Sequence, residues 1–306
     1  MLGLTCRHTR HIVFLTTRYV ANVTKERDDM TQKWEISEPK LLDVGGEGER
    51  VGVLSVALIA GHVDVVTHED SGAASVEVQE VVGPPLEVTW DGHRLEISHV
   101  KTSGSNMWEA LKGLGAVAKN VRARVSISIP NDAKTSINTV SAGAVVSGIH
   151  ADTSLNTVSG DVAADDIQGR IETNGVSGTF EGRNLRGRLE ANTVSGAMTV
   201  HHSALDPIEL NGVSGDITLD LTDFRTHVES NTVSGDVTVR VPQGGGYFVK
   251  VSTMSGAAIV DGMKLGGKWH RGGEARDGDE ALRINANSMS GDVVVLRAAG
   301  PDLSKS

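Results

Sequence analysis

Eight copies of one short phrase, close to Asn-Thr-Val-Ser-Gly, recur through the second half of this 306-residue chain. They start at Asn138, Asn156, Asn174, Asn192, Asn211, Asn231, Ser252 and Asn287, in steps of 18, 18, 18, 19, 20, 21 and 35 residues. A nearly constant period of this size means one supersecondary unit per copy, each burying its apolar side against the next, and not a single centred core. Aromatics are only 3% of the residues while glycine numbers 36. A thin core of Val, Ile, Leu and Met fits that composition.

Aligned on Asn, the copies predict the unit. Two residues after it stand Val140, Val158, Val176, Val194, Val213, Val233, Met254 and Met289. Three before it stand Ile171, Leu189, Ile208, Val228, Val249 and Ile284. Six after it stand Val162, Phe180, Met198, Ile217, Val237, Ala258 and Val293. With coils stacked about 4.8 Å apart, all three columns are expected to become interior ridges. Ser159, Ser177, Ser195, Ser214 and Ser234 each precede a glycine, which suits a corner of positive φ. Asn156, Asn174, Asn192, Asn211 and Asn231 are expected to bond to one another along the array. These serines and asparagines form the expected structural ladder. A serine repeated eight times, outside a G-x-S-x-G elbow, does not read as a nucleophile.

The predicted fold is all-β: a parallel β-solenoid, or β-helix, with about 18-residue coils, capped by degenerate N-terminal strands. Residues 1–30 read as a disordered leader or a mis-assigned start, with translation opening at Met30. Residues 31–135 read as degenerate β coils and a cap, and 136–298 as the repeats, with a long loop or hairpin at 262–281. Residues 299–306 read as a tail. Inside the cap, the alternating runs Leu86–Trp90 and Leu95–His99 around Asp91-Gly92 predict a hairpin. Val121–Pro130 predicts a strand. Met107, Trp108, Leu111 and Leu114 have helical spacing and predict a short helix within 103–120.

Charge and motif narrow the function classes. The net charge is −10 and no basic stripe occurs, which disfavours nucleic acid as a partner. The longest uncharged stretch of the body, Val51–Val63, is too short to span a bilayer as a helix. The single cysteine, Cys6, rules out a disulfide within the chain and fits a reducing, cytoplasmic setting. Asp161, Asp216, Asp236 and Asp292 follow Ser-Gly, but Thr179, Ala197 and Ala257 interrupt the column. Neither H-E-x-x-H nor paired C-x-x-C is present, so no metal and no cofactor is expected. An acidic strip of Glu172, Glu190, Glu209 and Glu229 is expected outside, the first two neutralised by Arg170 and Arg188. It reads as a solvated lattice or as a strip for a cation or basic partner. Trp269 and His270 in the long loop read as a packed indole or a small ligand site. These six residues are the candidate interaction surface.

The phrase Asn-Thr-Val-Ser-Gly-Asp-Val, at Asn156–Val162 and Asn231–Val237, resembles the bacterial β-strand-repeat proteins of unknown function that are often labelled adhesins. The resemblance covers about 51–297. Trp34 with Leu41-Leu-Asp-Val44, and the final phrase from Asn287, resemble actinobacterial members. The resemblance implies a β-solenoid and transfers no catalytic residue. The leading expectation is a non-catalytic, cytoplasmic structural or protein-interaction module that binds an unknown protein or itself. A surface adhesin or envelope protein, and a carbohydrate-active β-helix enzyme, are the alternatives.

Overall fold

The computed structural model describes residues 31–46, 48–69, 72–99, 121–266 and 271–298. The expected leader, the expected helix, Trp269 with His270, and the tail lie outside the described residues. Within them the chain is all strand and turn, with no helix. The first strands are β1 (Gln32–Ile36), β2 (Lys40–Val44), β3 (Val53–His68), β4 (Ala74–Val82), β5 (Leu86–Trp90), β6 (Arg94–Ser98) and β7 (Arg122–Pro130). The repeats begin with β8 (Lys134–Ser147), β9 (Thr153–Thr157), β10 (Val162–Asp165), β11 (Gln168–Gly175), β12 (Phe180–Arg183) and β13 (Arg186–Thr193). They continue with β14 (Met198–Gly212), β15 (Ile217–Leu221), β16 (His227–Thr232) and β17 (Val237–Val241). The last are β18 (Tyr247–Thr253), β19 (Ala258–Val260), β20 (Met263–Leu265), β21 (Arg271–Asp277), β22 (Leu282–Ser288) and β23 (Val293–Arg297).

Parallel pairing at the sequence period makes these strands a stack. Asn174 lies opposite Asn156 and Asn192, and Phe180 lies opposite Val162 and Met198. Each coil therefore supplies one strand to each of two rows. The first row runs β8, β9, β11, β13, β14, β16, and the second β8, β10, β12, β14, β15, β17. Alternation then sorts the side chains. Ile171, Leu189, Ile208 and Val228 line the interior of the first row, and Val162, Phe180, Met198, Ile217 and Val237 that of the second. The columns three before and six after the Asn are interior, as the sequence predicts.

Both ends depart from simple stacking. At the N-terminal end only β3 follows the coil path, pairing parallel with β8 along most of its length. Beyond it β6 and β7 pair parallel with β3, and the rows then continue through antiparallel pairs, β6 to β5 to β1 in one and β7 to β4 to β2 in the other. The Asp91-Gly92 hairpin is present, with Trp90 opposite Leu95 and Gly92 at φ +93°. The short link between β5 and β6 permits only antiparallel pairing, whereas a parallel neighbour needs a long crossover.

At the other end the chain does not stack in sequence order. β22 pairs with β16 on one side and β18 on the other, and β23 lies between β17 and β19. The last coil is thus inserted ahead of the one that precedes it in sequence. The described parts of the segment 262–281 pair rather than stand free: β20 pairs antiparallel with β19, and β21 with β18, so they cover the terminal coil's outer edge. Arg297 locks the insertion. Its Nε donates to Asp261 at 3.0 Å, a second nitrogen reaches Asp277, and its guanidinium lies 4.9 Å over the Tyr247 ring. Tyr247 is buried and donates to Asp261 at 2.8 Å; burial first, then that carboxylate, raises its pKa.

His99 ends the N-terminal hairpin. Its backbone N–H donates to Ala57 at 3.1 Å, while the ring is buried and neither ring nitrogen has a partner among the described residues. Burial pushes its pKa down to about 4. The native state thus refuses a proton that the unfolded chain takes up near pH 6.5. Stability from this group is complete above that pH and falls as pH drops from 6.5 toward 4, by roughly 3 kcal/mol. Urea unfolding at pH 7.5 and pH 5 should show the loss, and His99→Leu should flatten it.

Candidate functional site

The corner between the two rows is built by the repeated phrase. Inside it Thr157 points inward, and its hydroxyl is satisfied by the turn itself: Oγ1 donates to the Gly160 carbonyl at 3.0 Å and accepts from the Gly160 N–H at 2.9 Å. The N–H bond recurs from Gly196 to Thr193, Gly256 to Thr253 and Gly291 to Ser288. A hydroxyl residue takes the interior place one after the Asn in every copy except those with Gly175 and Gly212, and strand alternation turns the next residue out.

That geometry overturns one expected column. Val176, Val194, Val213, Val233, Met289 and Met254 are 42–76% exposed, and in space they form a continuous outward apolar row in that order. Val140 and Val158 are only half-buried. Apolar character alone does not place a residue in the interior. The period-2 pattern of Ile171, Thr173 and Gly175 carried the correct signal, because it places Val176 out of phase with the core.

The glycine after each serine also has a different cause from the one expected. Its φ is not in the left-handed region. A Cβ on Gly178 would lie 2.0 Å from the Gly160 carbonyl oxygen, on Gly196 1.9 Å from that of Gly178, and on Gly215 1.8 Å from that of Gly196. Backbone stacks on backbone there, and only glycine leaves the space. Positive φ belongs instead to the opposite corner, at Gly148, Asp166, Asn184 and His202, one per coil.

The polar columns beside the apolar row are absorbed by stacking. Each Asn donates its side-chain N–H to the amide oxygen of the Asn one coil earlier: Asn156 to Asn138 at 3.0 Å, Asn174 to Asn156, Asn192 to Asn174 and Asn211 to Asn192 at 2.9 Å, and Asn231 to Asn211 at 3.2 Å. Asn287 bonds Asn231 at 3.0 Å and so marks the inserted coil. Ser159, Ser177 and Ser195 donate to Val140, Val158 and Val176 carbonyls at 3.1 Å, and Ser214 and Ser234 to Val194 and Val213 at 3.2 and 3.3 Å. Asn192→Ala removes two ladder bonds at once and should cost about 1–2 kcal/mol, read from the urea midpoint.

The carboxylates divide into paired and unpaired sets. Arg170 reaches Glu190 at 3.3 Å and Arg188 reaches Glu209 at 2.6 Å. The arginines thus neutralise the second and third carboxylates, not the first two as expected, because each long side chain leans to the next coil. Glu172 accepts from Asn174 at 3.3 Å, and exposed Glu229 has no cation partner among the described residues. Asp161 accepts the Thr179 N–H, Asp216 that of Asp236, Asp236 that of Asp292, and Asp292 that of Ala257, at 2.7–3.0 Å. Among the described residues no group of three or more His, Cys, Asp and Glu side chains is placed to hold a metal ion. No helix there is long and apolar enough to cross a membrane.

The features together define a stacked all-β repeat protein whose interior ladder is polar at the corner and whose outward row is apolar. Residues 56–296 match the model of the Toastrack DUF4097 family, and the chain belongs to that family. No curated protein matches it. A candidate cell adhesion protein from Clostridium sporogenes is 15% identical, with 85% of this chain and 100% of that chain covered and a TM-score of 0.27. A candidate lipid binding protein from Parabacteroides distasonis is 14% identical, with 87% and 98% covered and a TM-score of 0.42.

Proposed function

We propose that the chain is a capped β-solenoid acting as a non-catalytic interaction scaffold in the cytoplasm. The outward Val/Met row carries this reading. Burying apolar side chains is the main driving force of association, and a long row held at fixed spacing by backbone is a rigid docking edge. The neighbouring Asn, Ser and Asp columns support it, since their hydrogen-bonding groups are engaged in holding the coils together. Membership of a family of unknown function leaves this the reading that fits the surface best.

The test is made in the native host. A photo-crosslinking residue replaces Val194, and another replaces exposed Arg122 on β7 as a control. Protein adducts that form from position 194 but not from 122, in cells whose protein resists external protease, are the expected result. Cleavage by protease on intact cells would overturn the cytoplasmic reading in favour of a surface adhesin. Turnover of a polysaccharide, abolished by changing a single carboxylate, would overturn the non-catalytic one.

A further inference from the structure

Resting on that scaffold reading, we infer that the C-terminal half of the apolar row docks a basic, amphipathic helical segment of another polypeptide. Val213, Val233 and Met289 occupy successive coils and are 46%, 42% and 53% exposed. Three residues on from each stands an aspartate: Asp216, Asp236 and Asp292, all exposed. Each uses Oδ1 to accept one backbone N–H from the next coil, and none is paired with a lysine or arginine among the described residues. On the strand side of the row lie Glu209, held by Arg188, and unpaired Glu229. Further along, the same column passes to Asn285 and then Lys250 on the end coil. An apolar line is therefore bordered by aspartates on one side over three coils, and by Glu209 and Glu229 on the other over the first two.

Charge decides between occupants. A second copy laid along the same row would bring carboxylate columns against carboxylate columns, and like charges across an interface cost affinity. An anionic lipid surface would be repelled in the same way, by a chain whose net charge is −10. A segment with apolar residues flanked by Lys or Arg satisfies both parts at once. A helix suits the spacing: its turns rise about 5.4 Å and the rows of the stack recur about every 4.8 Å, so one apolar residue per turn meets one Val or Met per coil over three coils.

The probe is a fluorescein-labelled Leu/Lys amphipathic peptide of about 18 residues, some 27 Å as a helix. Its binding to the purified full chain is followed by anisotropy at about 0.15 M salt, where long-range attraction is screened. Saturable binding is expected, weakened about tenfold or more by Val233→Ser with Met289→Ser, and likewise by Asp236→Asn with Asp292→Asn. The asparagines keep an acceptor for the coil-to-coil bond while removing the charge, and unchanged melting temperatures would show that all variants fold. A Leu/Glu peptide of the same pattern should not bind. If the serine pair leaves affinity unchanged, the attraction is charge alone and the inference fails. It also fails if sedimentation shows a dimer that the serine pair dissociates, since the occupant is then a second copy. Adducts in cells from position 194 without binding of the Leu/Lys peptide would overturn this inference and leave the scaffold reading standing.

Discussion

Gly196→Ala is expected to lower the melting temperature by about 10 °C, the larger part of what a single methyl group can do to a chain this long. The added Cβ would sit 1.9 Å from the Gly178 carbonyl oxygen, well inside contact distance. The obstacle is backbone on a neighbouring coil, which cannot rotate away as a side chain can. Relief requires the two coils to separate locally. That loosens the two bonds from Ser195 to the Val176 carbonyl, through its hydroxyl at 3.1 Å and its N–H at 2.8 Å. A penalty on the order of 3–5 kcal/mol belongs to the severe end of point substitutions, and larger domains lose roughly 2–4 °C per kcal/mol. Gly244→Ala provides the contrast: a Cβ there has no atom within 4 Å, and its φ of +90° leaves only the smaller cost of strained backbone. Calorimetry of both variants checks the argument, and equal losses would mean that the stacking contact is not what excludes a side chain.

The second large effect comes from moving one carboxylate by five residues. Leu189→Asp puts a charge at a position with no solvent exposure, between Ile171 and Ile208 of the neighbouring coils. An unpaired buried carboxylate is expected to cost at least 3–5 kcal/mol, or to stay protonated at a comparable cost, and to abolish a cooperative transition at moderate temperature. Val194→Asp places the same group on the outward row and should change stability by less than about 0.5 kcal/mol. Circular dichroism melts of the two variants decide the placement of the row. Collapse of both would return the valines to the interior.

Much of this architecture is legible in the sequence. The Asn ladder, the core columns through Leu189 and Met198, and the Asp91-Gly92 hairpin all follow from period and turn chemistry. Side chains repeated at one coil position must meet in parallel register. The misplaced column shows where such reading stops. Val194 and Leu189 are both aliphatic and both periodic, and only strand phase separates them. A threonine between them occupied the interior by bonding to its own turn, which hydropathy does not reveal. The glycine column reads as a matter of φ in the sequence, because close approach of two backbones is a tertiary fact, invisible in one coil. The insertion of β22 and β23 left a trace that could have been followed. The Ser252 copy lacks the Asn and has Ala257 in place of Asp, whereas the copy from Asn287 has both. A coil at the end of the stack has no further neighbour for those groups to hold, so the degenerate copy belonged at the edge.

That insertion sets a limit on how such a chain can be made and lengthened. A simple array gains a unit by duplicating its last repeat, and it can fold from the ribosome one unit at a time. Here Leu282–Arg297 is a keystone: it enters between β16 and β18 and between β17 and β19, all made before it, so the outer coil's strands Tyr247–Thr253 and Ala258–Val260 have no parallel neighbour until it is synthesised. New units can be spliced into the middle of the gene without disturbing that closure, but not appended after it. Because β23 lies between β17 and β19, Arg297 sits one coil in from the tip of the stack, so the strand made last is not the one at the end.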